Sequence, residues 1–209
     1  TRQATDQIFA MAGRVTKRDE KTAAAIFESL LLTGIAMSFT KTSRPGSGTE
    51  HIMAHFWECM ELLDSKTPNY HGEDVGVTTL IMLRYYEALA RLPQVTAHPE
   101  ICNWDEIYSI YGPLAPDVQK LNTPDTITDG IAPRWIEACW PQIRRIVQSV
   151  PSYDACLAAM RQAGCKTTIE EVGKAPDFVD ISFRFHPYMR RRLSLKRVSH
   201  MLDLPEDLF

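Results

Sequence analysis

Apolar positions recur along nearly the whole chain at the 3.6-residue spacing of an amphipathic helix. Thr16 with Asp19 reads as a capping box that opens a helix running to about residue 39. In it Ile26, Leu30 and Met37 share one stripe, and Phe27, Leu31 and Ile35 widen that stripe. The helix is therefore expected to be buried on most sides. A loop rich in turn formers occupies 40–48. The pattern then predicts a second helix over 49–63, a polar linker with Pro68 over 65–70, and a third helix over 71–91. Further helices are predicted near 98–111, 131–149, 152–163 and 176–203, with Pro141 and Pro187 kinking or splitting two of them. Only Val75-Gly76-Val77-Thr78-Thr79 is dense in β-branched residues, and it lies inside a helical period. There is no internal repeat. The pattern predicts an all-α fold, one helical domain over 1–209.

Composition narrows the function. At 209 residues the chain is one large domain or two small ones. Lys+Arg 23 against Asp+Glu 26 gives a net charge of −3, without the basic surplus of a nucleic-acid module. The longest apolar run, around 30–37, is interrupted by Thr33 and Gly34, short of the ~18 residues of a membrane span, so no span is expected. Thr1-Arg2-Gln3 leads into a polar stretch, so no signal peptide is expected. Five cysteines without a CxxC pair read as reduced thiols of a cytoplasmic protein. No β-branched strand runs into a glycine-rich turn; Gly46-Ser47-Gly48 follows a helical stretch instead. Any nucleotide is thus expected to be held by another domain.

The sharpest local signal is His51-Ile52-Met53-Ala54-His55, followed by His71-Gly72-Glu73. At about 100° per residue, His51, His55 and Glu58 fall within a narrow arc, while Ile52, Phe56, Cys59 and Leu63 take the opposite side. A helix hairpin would return His71 to the same region. Two imidazoles on one face can ligate one divalent metal, or one can ligate while the other contacts a substrate. The competing reading is a half-buried surface pair with His71 as a helix cap. Ser43-Arg44-Pro45-Gly46-Ser47-Gly48 ends where the His51 helix starts. Free backbone N–H groups, two hydroxyls and the Arg44 guanidinium would form an anion cradle there, against the alternative of a flexible connector. Metal beside oxyanion points to a small phosphorylated substrate with an oxygen to polarise.

The run from Ser43 to His51, with His55, Trp57-Glu58 and His71-Gly72-Glu73, resembles the sn-glycerol-1-phosphate dehydrogenases, in the superfamily of glycerol dehydrogenase, iron-containing alcohol dehydrogenases and 3-dehydroquinate synthase. The likeness continues through 163–171 and the arginines at 190–192. The loop motif is specific to this branch, where Ala usually replaces Gly46, a small-for-small difference. The resemblance implies the C-terminal helical domain of an NAD(P)-dependent oxidoreductase that interconverts dihydroxyacetone phosphate and sn-glycerol 1-phosphate for lipid synthesis. It assigns His51 and His71 as metal ligands, zinc first and nickel or iron next. It assigns His55 as the catalytic, substrate-contacting histidine, and the substrate side includes Ser43, Arg44 and Ser47. A third ligand, an Asp, and the Rossmann-like domain that binds NAD(P) are expected outside these residues, so the chain alone is expected to be inactive. A homodimer is compatible with this reading; nucleic acid and membrane are not among the expected partners. The rivals are a related polyol dehydrogenase domain and a metal- or anion-binding helical module without catalysis.

Other residues carry less. Arg190-Arg191-Arg192 with Lys196 and Arg197 reads as a solvated or inter-helix face rather than a phosphate contact. Glu58, Glu73 and Asp74 could orient a ligating histidine, or lie at the surface or favour a helix dipole. Trp57, Trp135 and Trp140 are assigned to packing, and Cys59 points away from the histidines.

Overall fold

The computed structural model describes residues 2–209. Among them the secondary structure is helical, with a single isolated antiparallel bridge between Ala97 and Leu202. The first two helices are α1 (Arg2–Val15) and α2 (Glu20–Thr40). Asp19, not Thr16, caps α2: its carboxylate accepts from the Thr22 amide at 3.0 Å and the Thr22 hydroxyl at 2.8 Å. Residues before it form α1, which the sequence pattern does not announce because only Ala12 of it is buried.

α2 departs most from expectation. Phe27, Leu30, Leu31, Ile35 and Phe39 are 51–85% exposed, and only Thr22 and Ala25 are buried. A helix that is apolar all round needs neighbours all round, and α1 covers only one flank. By length and composition α2 could also cross a membrane, a test that buried core helices pass as well. Counting uninterrupted apolar residues misses this, because Thr33 and Gly34 do not break a helical window.

α3 (Thr49–Leu63) and α4 (His71–Arg91) form an antiparallel hairpin across the linker predicted by the polar 65–70 stretch. The Thr78 hydroxyl donates to the Glu50 carbonyl at 2.9 Å, and the Tyr86 hydroxyl donates to Thr49 Oγ1 at 2.8 Å. At the other end the Asn69 amide bridges Asp74 Oδ1 (3.0 Å) and the Val172 carbonyl (2.8 Å). The buried face of α3 (Met53, Phe56 and Trp57) enters a core shared with α4, α5 (Trp104–Tyr111), α6 (Ala115–Asn122) and α9 (Pro176–Phe185). The Trp57 indole N–H donates to Ser182 Oγ at 2.7 Å, so its assignment to packing holds. A second core joins the later half of α4 to Ile136 and Trp140 of α7 (Pro133–Val147) and to Met201 and Leu202. Trp135, on the same helix, is exposed instead. α8 (Tyr153–Gln162) packs on α1 and α4.

Two long helices expected late in the chain are shorter. The one over 98–111 begins only at Trp104, where Asn103 caps it. The stretch 176–203 breaks at Pro187: α9 passes into a 3-10 turn (His186–Met189), then a tight turn at Arg191, then α10 (Leu195–Val198) capped by Ser194. Pro141, by contrast, stays inside α7.

Candidate metal and substrate site

The hairpin gathers three imidazoles. The His71 ring lies 5.4 Å from that of His51 and 4.9 Å from that of His55, centre to centre, and is stacked on the latter. Each ring is held at Nδ1 by a carboxylate. Glu58 bridges His55 (2.9 Å) and His71 (2.5 Å), and Glu50 takes His51 (2.8 Å). Burial alone would raise Glu58, yet the hydrogen bonds from His71 and His55 hold it below the ordinary carboxylate range. Glu50 behaves likewise: burial raises it, and bonds from His51 and the Gly48 amide outweigh that. An ionised carboxylate only accepts, so it fixes each imidazole as the Nδ1–H tautomer and leaves Nε2 as the free lone pair. Glu58 is one of the three residues, with Glu73 and Asp74, that the sequence offers as an orienting group; Glu50 carries no sequence signal beyond its neighbour.

This donor set suits a divalent cation. One ligating atom from each of His55, Glu58 and His71 falls within 4.8 Å of the others, so the group that converges contains His55, assigned to substrate by the resemblance, and does not contain His51, assigned as a ligand. Neutral imidazoles oriented by carboxylates are the usual surroundings of zinc-type ions. The other acidic residues of the motif turn elsewhere. Glu73 pairs with Lys166 at 2.8 Å. Asp74 is fully buried, pushed above its ordinary value by burial, and faces Asn69 and Lys174. Lys174, itself buried, also reaches Glu61 at 2.5 Å, so with Asp74 it bridges the end of α3 and the start of α4.

The loop before α3 differs from the expected cradle. The Gly48 amide donates to Glu50 Oε1 at 2.8 Å, so part of the helix N-terminus is already satisfied from within. A Cβ on Gly48 would come 2.5 Å from that carboxylate, so glycine permits the closure. A Cβ on Gly46 would meet Thr33 Cγ2 at 2.8 Å, so in this chain the exchange with Ala is not neutral: it would push on α2. Arg44 is exposed and lines no part of the histidine cleft. That cleft, about 360 Å³, is lined by Ser43, Ser47, His51, Ile52, His55, Arg190 and Arg192. A larger one of about 650 Å³ lies between α1, α2 and 149–155 and holds no histidine or cysteine.

The basic run thus divides. Arg191 faces outward and pairs with Asp125 at 2.6 Å, as expected of a solvated charge. Arg190 and Arg192 face the cleft; Arg192 donates to the Ser47 carbonyl at 2.7 Å and to Ser43 Oγ. Lys196 and Arg197 are buried, contrary to a solvated face: Arg197 pairs with Glu100 at 2.8 Å, and Lys196 lies over the Phe183 ring at 4.0 Å. Cys59 is half-buried, and burial pushes its thiol up; it stands outside the histidine–carboxylate group.

The fold and site thus define a helical, histidine-bearing half-site set against a basic cleft. Its relatives are glycerol-1-phosphate dehydrogenases. Those of Geobacillus stearothermophilus and Geobacillus thermodenitrificans, each described as a glycerol-1-phosphate dehydrogenase [NAD(P)+], are 27% and 25% identical over 88% and 90% of this chain. The enzyme of Thermococcus kodakarensis is 39% identical over a shorter 64-residue stretch, 31% of this chain and 17% of its own length. The chain is related to these oxidoreductases over nearly all its length, and it spans about two fifths of the length of the two Geobacillus relatives (39% and 40%). No family profile matches, and no solved structure matches either.

Proposed function

We propose that this chain is the metal- and substrate-binding C-terminal part of a cytoplasmic NAD(P)-dependent glycerol-1-phosphate dehydrogenase, interconverting dihydroxyacetone phosphate and sn-glycerol 1-phosphate. The observation that carries the reading is the triple imidazole group, each ring locked at Nδ1 by a carboxylate and left with Nε2 to offer. The names of the curated relatives support it. His51 and His71 hold the divalent metal, zinc by donor type, with Glu58 as the group that orients His71 or joins it as a ligand. The metal and the nicotinamide, when bound, supply Lewis-acid polarisation of the substrate C2 oxygen and hydride exchange at C2. His55, one turn from His51 and stacked on His71, contacts the substrate and holds or passes a proton through Nε2, while Glu58 keeps its Nδ1 proton in place. Ser43 and Ser47 border the same cleft. The nicotinamide and a third, carboxylate ligand come from polypeptide beyond these residues, so turnover is not expected from the chain alone.

Zinc titration of the chain, followed by calorimetry or chelator competition, tests the reading. One site is expected, weakened by His71→Ala and His51→Ala, and about 10–100-fold by Glu58→Gln, as for other orienting partners of a ligating histidine. Zinc affinity unchanged by all three substitutions would remove the metal assignment and the function built on it.

A further inference from the structure

We propose that Arg190 and Arg192 form a binding site for a dianionic phosphate group, the role that the loop motif alone would give to Arg44. The inference deepens the proposed function by naming what holds the charged end of the substrate. Its starting point is backbone geometry. Past the 3-10 turn at His186–Met189, Arg190 is extended at φ −142° and ψ 137°, and the Arg192 amide then donates to the Arg190 carbonyl at 2.9 Å, closing a tight turn centred on Arg191. Arg190 and Arg192, the two ends of that turn, line the cleft, and Arg191 at its apex pairs outside with Asp125.

The charge in that cleft is not neutralised. No carboxylate lines it, and among the described residues neither Arg190 nor Arg192 forms an ion pair, whereas nearby Arg184, Arg191 and Arg197 each have an acidic partner. Arg192 is held rather than free. One donor from each terminal nitrogen is used, on the Ser47 carbonyl and on Ser43 Oγ. Five donors minus two leaves three N–H groups on a fixed plane. A fixed guanidinium fork matches a phosphate's oxygens. Ser47 lines the same cleft and can add a hydroxyl donor, and the His51 and His55 rings border it, with Glu50 and Glu58 bonded at their Nδ1 atoms rather than lining the cleft. Two uncompensated cations suit a doubly charged phosphate monoester better than a singly charged carboxylate. The neighbouring imidazoles put the rest of such a molecule beside the proposed metal.

The test uses the 209-residue chain without metal and inorganic phosphate as the probe, followed by phosphorus NMR or calorimetry. Saturable binding is expected, weakened about 10–100-fold by Arg192→Ala, the range for charge-assisted hydrogen bonds. Arg190→Ala should weaken it less, since no second contact holds that side chain, and Arg44→Ala and Arg191→Ala should stay within about twofold. Arg192→Lys keeps the charge without the fork and should fall between wild type and Arg192→Ala; circular dichroism confirms that each variant is folded. Absence of saturable binding at tens of millimolar, equal binding of acetate, or a larger loss from Arg44→Ala than from Arg192→Ala would overturn the proposal. Zinc affinity of Arg192→Ala separates the two hypotheses. If zinc binds normally while phosphate binding is indifferent to Arg192, the anion site fails and the metal site stands. If phosphate binding needs Arg192 but no zinc binds, the reverse holds.

Discussion

α2 and α3 follow one another across the loop 41–48, both are rich in apolar residues, and they end in opposite environments. α3 buries Ile52, Met53, Ala54, Phe56 and Trp57, and offers His51 and His55 to the cleft, with Glu58 bonded to the His55 ring. α2 leaves Phe27, Leu30, Leu31, Ile35 and Phe39 outside. The contrast extends to charge: while α2 exposes apolar groups, the packed part of the molecule encloses Asp74, Lys174, Lys196 and Arg197. What separates the helices is segregation. α3 divides its circumference into an apolar arc and a polar arc, so burial of one dictates where the other points. α2 is apolar all round, and its composition contains no preferred direction. Burial there depends on how many neighbours arrive.

Three measurements test that contrast. The largest effect is expected from Trp57→Ala, which removes a fully buried ring and its bond to Ser182. It should lower unfolding stability by about 3–5 kcal/mol in urea titration. A loss near 1 kcal/mol would mean that the α3 face is not the anchor described.

Next is Lys196, whose ammonium burial brings down to about 7 from its ordinary 10.5, although the ring faces of Phe183 and Tyr85 favour the charged form. Below pH 7 both folded and unfolded chains carry the proton, and the cost of burying the charge is present in full. Between 7 and 10.5 the unfolded chain binds more protons, so stability rises with pH and the cost fades. Lys196→Met should therefore stabilise by about 2 kcal/mol at pH 6, with the gain shrinking toward pH 10. A gain independent of pH would place the ammonium in water rather than among the rings.

The smallest change should come from Leu30→Ser on α2. With the side chain 65% exposed, stability should stay within about 0.5 kcal/mol of wild type. A loss of about 2 kcal/mol would show that this face is covered in solution, and the two helices would no longer differ.

How far the site could be read follows the same physics. His51, His55 and Glu58 lie on one helix, where the angle per residue alone brings them together, and Pro68 in a short linker signals the hairpin that adds His71. Arg190 and Arg192 were out of reach, because helical periodicity treats three consecutive arginines as a spread of directions. Only the break at Pro187 and the tight turn at Arg191 after it place two of them in the cleft. Arg44 sits in the motif, yet its loop turns it to solvent. The partners of Asp74 and Lys174 are 100 residues apart in the chain, and no local pattern pairs them.

Sequence by itself determined what short-range periodicity and stereochemistry control: the all-helical character, the bounds of α3 and α4, the apolar arc of α3 and the shared face of its histidines. Tertiary structure alone decided which charges lie inside, which arginines meet the histidine cleft, and that α2 stays largely uncovered. These are long-range outcomes. They depend on which surfaces are near enough to exclude water from a side chain, and that proximity is a property of the packed chain rather than of any segment within it.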